Sequence, residues 1–421
     1  MSLQGPLIVV ADHPASALVE ALSAAGAFPI VEAKWADAPT AFVAVKPAGV
    51  VIAEPGPAPS EAAARMLCLQ IATVNGPIVP TLALAYDDLD PAIPAALPVD
   101  AAQPVEHLIA RLQSAMRVRA MHATVLRRIE LSAANGGQLM KLPTSDALDD
   151  ATVLVLGRGP LYPALSVAMG ERVKVIGALS LETAAAHLEA RDIDGVVVGD
   201  GFPPRMVEAF LALLAEDTRL RDLPVAVVGE APDEFGDTLP NIDYLGGDPA
   251  RLVARVLPLV RMHAFEARLK RMLTSLDTGG MIDCETGLLT RESFCRELGK
   301  AVAEAADRSQ PLSLARFSFD GPLDKRASLD GARLANRLIR TIDFATREDD
   351  GAILIAFPQS NLRNAHVVAR RIAAALKNTM LAPHRAHEKV TANVTLATLK
   401  AGDTLDTLLL RVMGNRMVAA E

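Results

Sequence analysis

Residues 110–129, ARLQSAMRVRAMHATVLRRI, recur in altered form as residues 254–273, ARVLPLVRMHAFEARLKRML. In this register Arg111 pairs with Arg255, Arg117 with Arg261, Ala120 with Ala264 and Arg127 with Arg271. The apolar positions agree too: Val118 with Met262, Met121 with Phe265, Val125 with Leu269. A repeat of this kind obliges both halves to adopt the same supersecondary unit. The segments ahead of the two helices match in kind. Each opens on a short apolar run, Leu7 to Val10 and Val153 to Leu156, followed by helical periodicity. Each then reaches a second run ending in an acid and a proline-rich turn, GVVIAEPGP from Gly49 and GVVVGDGFPP from Gly195. Further runs at 78–84 and 225–228 read as later strands. Continuous apolar strands alternating with helices require a parallel sheet covered on both faces. Residues 1 to about 270 are therefore expected to form two tandem doubly wound α/β domains.

The repeated helices carry apolar residues at alternating three- and four-residue steps. Met262, Phe265, Leu269, Met272 and Leu276 form one such stripe, and Val118, Met121 and Val125 another. That spacing suits a short coiled coil, so the stripe packs either on its own domain or on a partner, and a homodimer stays open. Residues 132–150, with Asn-Gly-Gly and Pro-Thr-Ser, read as a linker. With 421 residues and about 150 per domain, a third domain is expected after the repeats.

Composition narrows the function. One Trp and three Tyr leave the cores to aliphatic side chains, and a net charge of −8 offers no basic surface for a nucleic acid. Cys68, Cys284 and Cys295 have no metal-ligand spacing, so neither a disulfide framework, a metal nor a cofactor is expected. No basic segment precedes an apolar one near Met1, and no apolar run reaches the roughly 18 residues of a membrane span. A cytoplasmic protein is expected.

From Asp283 the chain reads Asp-Cys-Glu-Thr-Gly-Leu-Leu-Thr-Arg291. This resembles the DxLTGLxNR opening of GGDEF (diguanylate cyclase) domains, with Thr290 in the place of Asn. An amphipathic helix through Phe294, Leu298 and Val302 follows, and then a strand starting near Pro311. The resemblance implies a metal-binding DxD segment next, but Phe317-Ser-Phe-Asp320 puts Ser318 at its first Asp, and a hydroxyl is a weak ligand for a divalent ion. The guanine-reading segment is shorter, over Gly321 to Leu338, and lacks the family's Asn and Asp. The signature hairpin aligns with Asp349-Asp-Gly-Ala-Ile353: two aspartates replace the Gly-Gly pair, and Ala352 replaces a metal-binding acid. Asp350-Gly351 is expected to form a two-residue turn. The resemblance therefore implies a degenerate, catalytically inactive domain with no catalytic residues.

One family element is retained. An RxxD motif five residues before the signature forms the inhibitory site that binds cyclic di-GMP, and Arg340-Thr-Ile-Asp343 occupies that place. The resemblance supplies a second arginine, Arg371, from the following helix. An arginine fork matches guanine O6 and N7, and a carboxylate can accept from its N1–H and N2–H. The same pair could equally be structural. Arg347, Arg363 and Arg370 are expected on solvated faces. The strand and helix order of the repeats resembles receiver domains of response regulators, which puts Glu54 and Asp200 at the phosphoacceptor position. Asp12 stands alone after the first strand, Gly157-Arg158-Gly159 follows its counterpart, and no lysine precedes a proline where the family has one. Both acids could simply end strands in a turn.

The resulting architecture is similar to that of PleD-type response regulators: a receiver-like domain over 1–131, a linker over 132–150, a second receiver-like domain over 151–276, and a degenerate GGDEF domain with a mixed central sheet over 281–421. The implied function is a cyclic di-GMP-binding effector whose receiver-like domains contact protein partners. A ligand-free scaffold or a weak cyclase are the alternatives.

Overall fold

Every apolar run marked in the two repeats becomes a strand of a parallel sheet. The computed structural model describes residues 3–54, 62–85, 96–134, 141–229, 239–307, 310–319, 325–340, 342–379 and 392–413. They divide into two compact units, Met1–Leu131 with Pro143–Leu269 and Ser132–Leu142 with Lys270–Glu421.

The first unit holds both repeats. Strands β1 (Gln4–Val10), β2 (Phe28–Ala33), β3 (Gly49–Ile52), β4 (Thr81–Ala85) and β5 (Leu97–Asp100) line up as β2-β1-β3-β4-β5, all parallel. Strands β6 (Thr152–Leu156), β7 (Lys174–Ala178), β8 (Gly195–Val198), β9 (Val225–Val228) and β10 (Ile242–Leu245) line up as β10-β9-β8-β6-β7. Within each repeat the order is 2-1-3-4-5, the flavodoxin-like doubly wound sheet. Helices α1 (Ser16–Ala24), α2 (Ala38–Val45), α3 (Ala62–Ala72) and α4 (Val105–Ala134) cover the first sheet. Helices α5 (Leu161–Gly170), α6 (Leu181–Ala190), α7 (Pro204–Glu216) and α8 (Pro249–Asp277) cover the second.

The period of two along each strand splits the core by face. Leu7 and Val9 join Val51 beneath α1 and α4, while Ile8 and Val10 join Val50 and Ile52 beneath α2 and α3. In the second repeat Val153, Val155 and Val197 pack with α5 and α8, and Leu154, Leu156, Val196 and Val198 with α6 and α7. Each such fully buried aliphatic side chain contributes on the order of 2 kcal/mol.

Two sequence expectations shift here. The expected linker shrinks, because α4 runs on to Ala134 and Ala147–Asp150 forms a 3-10 turn seated on the second core through Ala147; residues 135–140 lie outside the described set. The apolar stripes of α4 and α8 meet each other within the unit. Leu259 is buried among Leu108, Leu112 and Ala115, with Met262 against them, and the His122 ring meets the Phe265 ring edge-on at 5.2 Å.

In the second unit β11 (Leu312–Phe319), β12 (Phe344–Arg347), β13 (Ile353–Pro358) and β14 (Ala392–Thr398) form the sheet β12-β13-β11-β14. All three pairings are antiparallel. The expected mixed sheet is reduced to one parallel bridge, Leu289 to Thr346, because the opening loop meets the sheet edge at a single residue. Helices α10 (Lys325–Leu338) and α11 (Leu362–Thr379) cover the face bearing Phe317, Ile355 and Phe357. Helices α9 (Arg291–Asp307) and α12 (Leu405–Met413) cover the face bearing Leu314, Leu354 and Ala356.

Candidate functional site

Arg340 and Asp343 stand in the short connection between α10 and β12, and they close it on each other. The Asp343 N–H donates to the Arg340 carbonyl at 3.0 Å, and the Arg340 N–H donates to Asp343 Oδ2 at 3.1 Å. Asp343 is only 7% exposed, and its Oδ1 is buried without a hydrogen-bond partner. Burial pushes its carboxyl above the usual carboxylate range, against the pull of the Arg340 N–H and the Arg340 charge. Arg340 itself is exposed, as is Ile342 between the two. Arg371 is exposed on α11, which packs beside α10 on the same sheet face. Among the described residues no hydrogen bond or ion pair joins Arg371 to Arg340 or Asp343. Arg363 and Arg370 are exposed, whereas Arg347 is half-buried and donates to Ser328 Oγ at 3.3 Å.

The hairpin that follows differs from the two-residue turn expected. Glu348 N–H donates to the Ala352 carbonyl at 2.7 Å and Gly351 N–H to the Glu348 carbonyl at 3.0 Å. The loop is thus the three residues Asp349, Asp350 and Gly351, with Gly351 alone at positive φ, +82°. A type I turn closed by a left-handed glycine spares both aspartates the left-handed region that a two-residue turn demands. Arg316, in the middle of β11, reaches this loop: its Nε donates to Glu348 Oε2 at 2.8 Å and its Nη2 to Asp350 Oδ2. Arg291 stands 3.7 Å from Glu348 Oε1. The Arg316 guanidinium thus neutralises Glu348 and Asp350. Ser318 lies two residues along on the same strand, half-buried, and Asp320 to Asp324 lie outside the described residues. No group of three or more His, Cys, Asp or Glu suited to a metal ion occurs among the described residues.

The opening loop is built on Asp283. Its carboxylate accepts from the N–H groups of Glu285 and Thr286, each at 3.2 Å, and from the Thr286 hydroxyl. Arg333 and Asn336 of α10 donate to the carbonyls of Glu285 and Gly287. Thr290 caps α9 by accepting the Ser293 N–H at 3.3 Å.

In the first unit the two switch points hold different chemistry. Glu54 accepts the Asp12 N–H at 3.0 Å and meets His13 Nδ1 at 3.2 Å. Burial raises its carboxyl, but the His13 ring and the backbone N–H groups outweigh it and hold it below the ordinary value. Asp12 is turned elsewhere, accepting the Trp35 N–H at 3.2 Å. In the second repeat the Asp200 carboxylate lies against the Gly159 backbone so closely that a Cβ there would stand 2.1 Å from Oδ2. Leu161 N–H, in the first turn of α5, points at Oδ2 from 3.5 Å, and Oδ1 is buried without a partner. Arg158 leaves the acid alone; it donates to the Leu179 carbonyl and lies over the Phe202 ring, 5.5 Å from its centre.

Arg316 and Glu348 were not among the residues singled out from the sequence, whereas Arg291 closes the opening motif. The available signal was a charged residue inside the apolar strand LSLARFSF.

No family model matches the chain, and no curated protein matches it. Solved structures similar to part of it include the coiled coil and GGDEF domain of DgcB from Caulobacter crescentus in complex with c-di-GMP. That structure is 22% identical over 34% of this chain and 81% of its own, with a TM-score of 0.29. The diguanylate cyclase SiaD of Pseudomonas aeruginosa, in complex with its activator SiaC, is 22% identical over 35% of this chain and 62% of its own, with a TM-score of 0.30. The FimX GGDEF domain from the same organism is 18% identical over 32% and 89%, with a TM-score of 0.29. No helix of the described residues is long and apolar enough to cross a membrane.

Proposed function

We propose that this chain is a catalytically inactive GGDEF-type signalling protein that binds cyclic di-GMP through Arg340, Asp343 and Arg371. The observation that carries the reading is Asp343, a carboxylate with one oxygen holding the backbone turn and the other buried without a partner. A buried acceptor left unmatched is costly unless something supplies donors, and the N1–H and N2–H of guanine are such donors. Arg340 and Arg371 are exposed on neighbouring elements and offer forks for guanine O6 and N7 or for phosphate. Inactivity is supported on the other side of the domain. Ser318 and Ala352 stand where the family has acids, and Arg316 already neutralises Glu348 and Asp350. The 2-1-3-4-5 order of both sheets in the first unit supports receiver-like domains, which would present surfaces to protein partners. The altered switch points argue against phosphoryl transfer there.

Isothermal titration of the full chain with cyclic di-GMP tests the reading. Binding on the order of micromolar, lost in Arg340→Ala, is expected; no heat with the unaltered chain overturns it. Incubation with GTP and Mg²⁺ is expected to give no product. One observation favours a scaffold without ligand. Asp343 already accepts the Arg340 N–H, as a purely structural turn would require.

A further inference from the structure

The two helices over the Phe317 and Ile355 face of the second unit are basic, and the two over the other face are not. Helices α10 and α11 carry four cations each, and Asp330 is the sole acid in either. Helix α9 carries three cations and four acids, and α12 one of each. Ala365, Ala369, Ile372 and Leu376 seat α11 on the sheet, so its opposite side faces solvent. Arg363, Arg370 and Lys377 are exposed along that side at seven-residue steps, and Val367, 65% exposed, stands among them. Among the described residues none of these three cations takes part in an ion pair or a hydrogen bond. Elsewhere the chain neutralises its arginines: Arg117 with Asp222, Arg316 with Glu348, Arg411 with Asp403. Helix stability does not account for the pattern either. Arg363 is the second residue of α11, where the helix dipole disfavours a cation.

Seven residues are nearly two turns, so the three cations stand about 10.5 Å apart on one ridge. A partner helix with carboxylates at the same spacing meets all three at once, and an apolar residue between them reaches Val367. A second α11 would set cation against cation, so the face does not suit its own copy. Leu362 and Val367 are the large apolar side chains that α11 exposes, too few to enter a bilayer. A net charge of −8 on the whole chain repels a phosphate polymer beyond this one face.

We propose that this side of α11 docks an acidic helix of a partner protein, with Arg363, Arg370 and Lys377 setting its register. Arg371, assigned above to the dinucleotide, takes no part. The docking face therefore stands whether or not cyclic di-GMP binds.

Fluorescence anisotropy with the full chain tests the docking. The probe is a labelled helical peptide of three heptads, with Glu at every seventh position and Leu between. It is expected to bind, and to bind more weakly as salt rises. Arg363→Gln, Arg370→Gln and Lys377→Gln together are expected to lower its affinity at least about tenfold while leaving the melting temperature unchanged. A peptide of the same composition with its Glu residues off that spacing is expected to bind at least about threefold more weakly. No binding of the spaced peptide overturns the proposal. Equal binding by the triple variant, or equal binding of the two peptides, does the same. Vesicles of phosphatidylserine and phosphatidylcholine and a mixed-sequence DNA duplex are titrated alongside. Tighter binding of either, lost in the triple variant, overturns the acidic helix as the partner. A triple variant that also loses whatever cyclic di-GMP binding the unaltered chain shows assigns the face to the nucleotide and overturns the docking.

Discussion

Two acids decide how the turns around them behave. Asp200 and Gly159 are matched, because only a residue without a side chain leaves room for the carboxylate at the start of α5. Gly159→Ala is expected to destabilise the first unit by about 1–3 kcal/mol, as overpacking does. Adding Asp200→Ala should recover part of that loss, which chemical denaturation in a double-mutant cycle would measure. Asp343 is matched to its surroundings less well. Its carboxyl is raised by burial, so between the ordinary carboxylate value and its own raised value the folded chain holds a proton that the unfolded chain has lost. Ionising it as pH rises through that window therefore costs stability. Guanine recognition, in contrast, needs the ionised form. Cyclic di-GMP affinity is expected to fall as pH drops through the raised value, and Asp343→Asn should abolish that dependence in titrations at several pH values.

The hairpin and the contact between the repeats give contrasting tests of local structure. Gly351 at φ +82° carries the left-handed residue of the β12–β13 turn. Gly351→Ala should cost roughly 1–2 kcal/mol, seen as a lowered melting temperature of the second unit. Where the repeats meet, His107 accepts from Arg111 through Nε2 at 3.0 Å and must be neutral to do so. Burial, then the Arg111 charge, lower it to about 3, against a bond to the Ile242 backbone that favours the charged form. Because the folded value lies below the ordinary 6.5, the unfolded chain takes up a proton that the folded one refuses. Stability is complete above about 6.5 and falls as pH drops towards 3, by about 1.4 kcal/mol per pH unit. His107→Leu should flatten that slope in urea titrations. The central strands of each repeat were legible because their apolar runs are unbroken, as GVVI and GVVV show. All four edge strands of the first unit, β2, β5, β7 and β10, escaped notice, since they carry Pro29, Pro98, Lys174 or Asp243 and face neighbours on one side only. The RxxD pair was found by motif position. Arg316 was missed because its meaning depends on β11 pairing with β13, which no local pattern encodes.

Leu259 and Met262 of the second repeat pack into a core of the first, so the first unit is expected to lose its structure in one step. Trp35, the single tryptophan, is 3% exposed in the first repeat and reports on it by fluorescence. Leu214→Ala, in the core of the second repeat, is expected to cost about 2–5 kcal/mol and to shift the Trp35 transition along with it. A fluorescence midpoint unmoved by that substitution would show that the repeats melt apart. The composition of the edge strands has a consequence for the chain in concentrated solution. A proline lacks the N–H that a neighbouring strand would need, and a charge on an outermost strand resists desolvation by one. Duplicating an open parallel sheet doubles the number of places where chains could add strand to strand into a growing fibre. With Pro29 and Lys174 on two of the edges, and β5 and β10 tied together through Arg111, the first unit carries its two sheets without offering an extensible template.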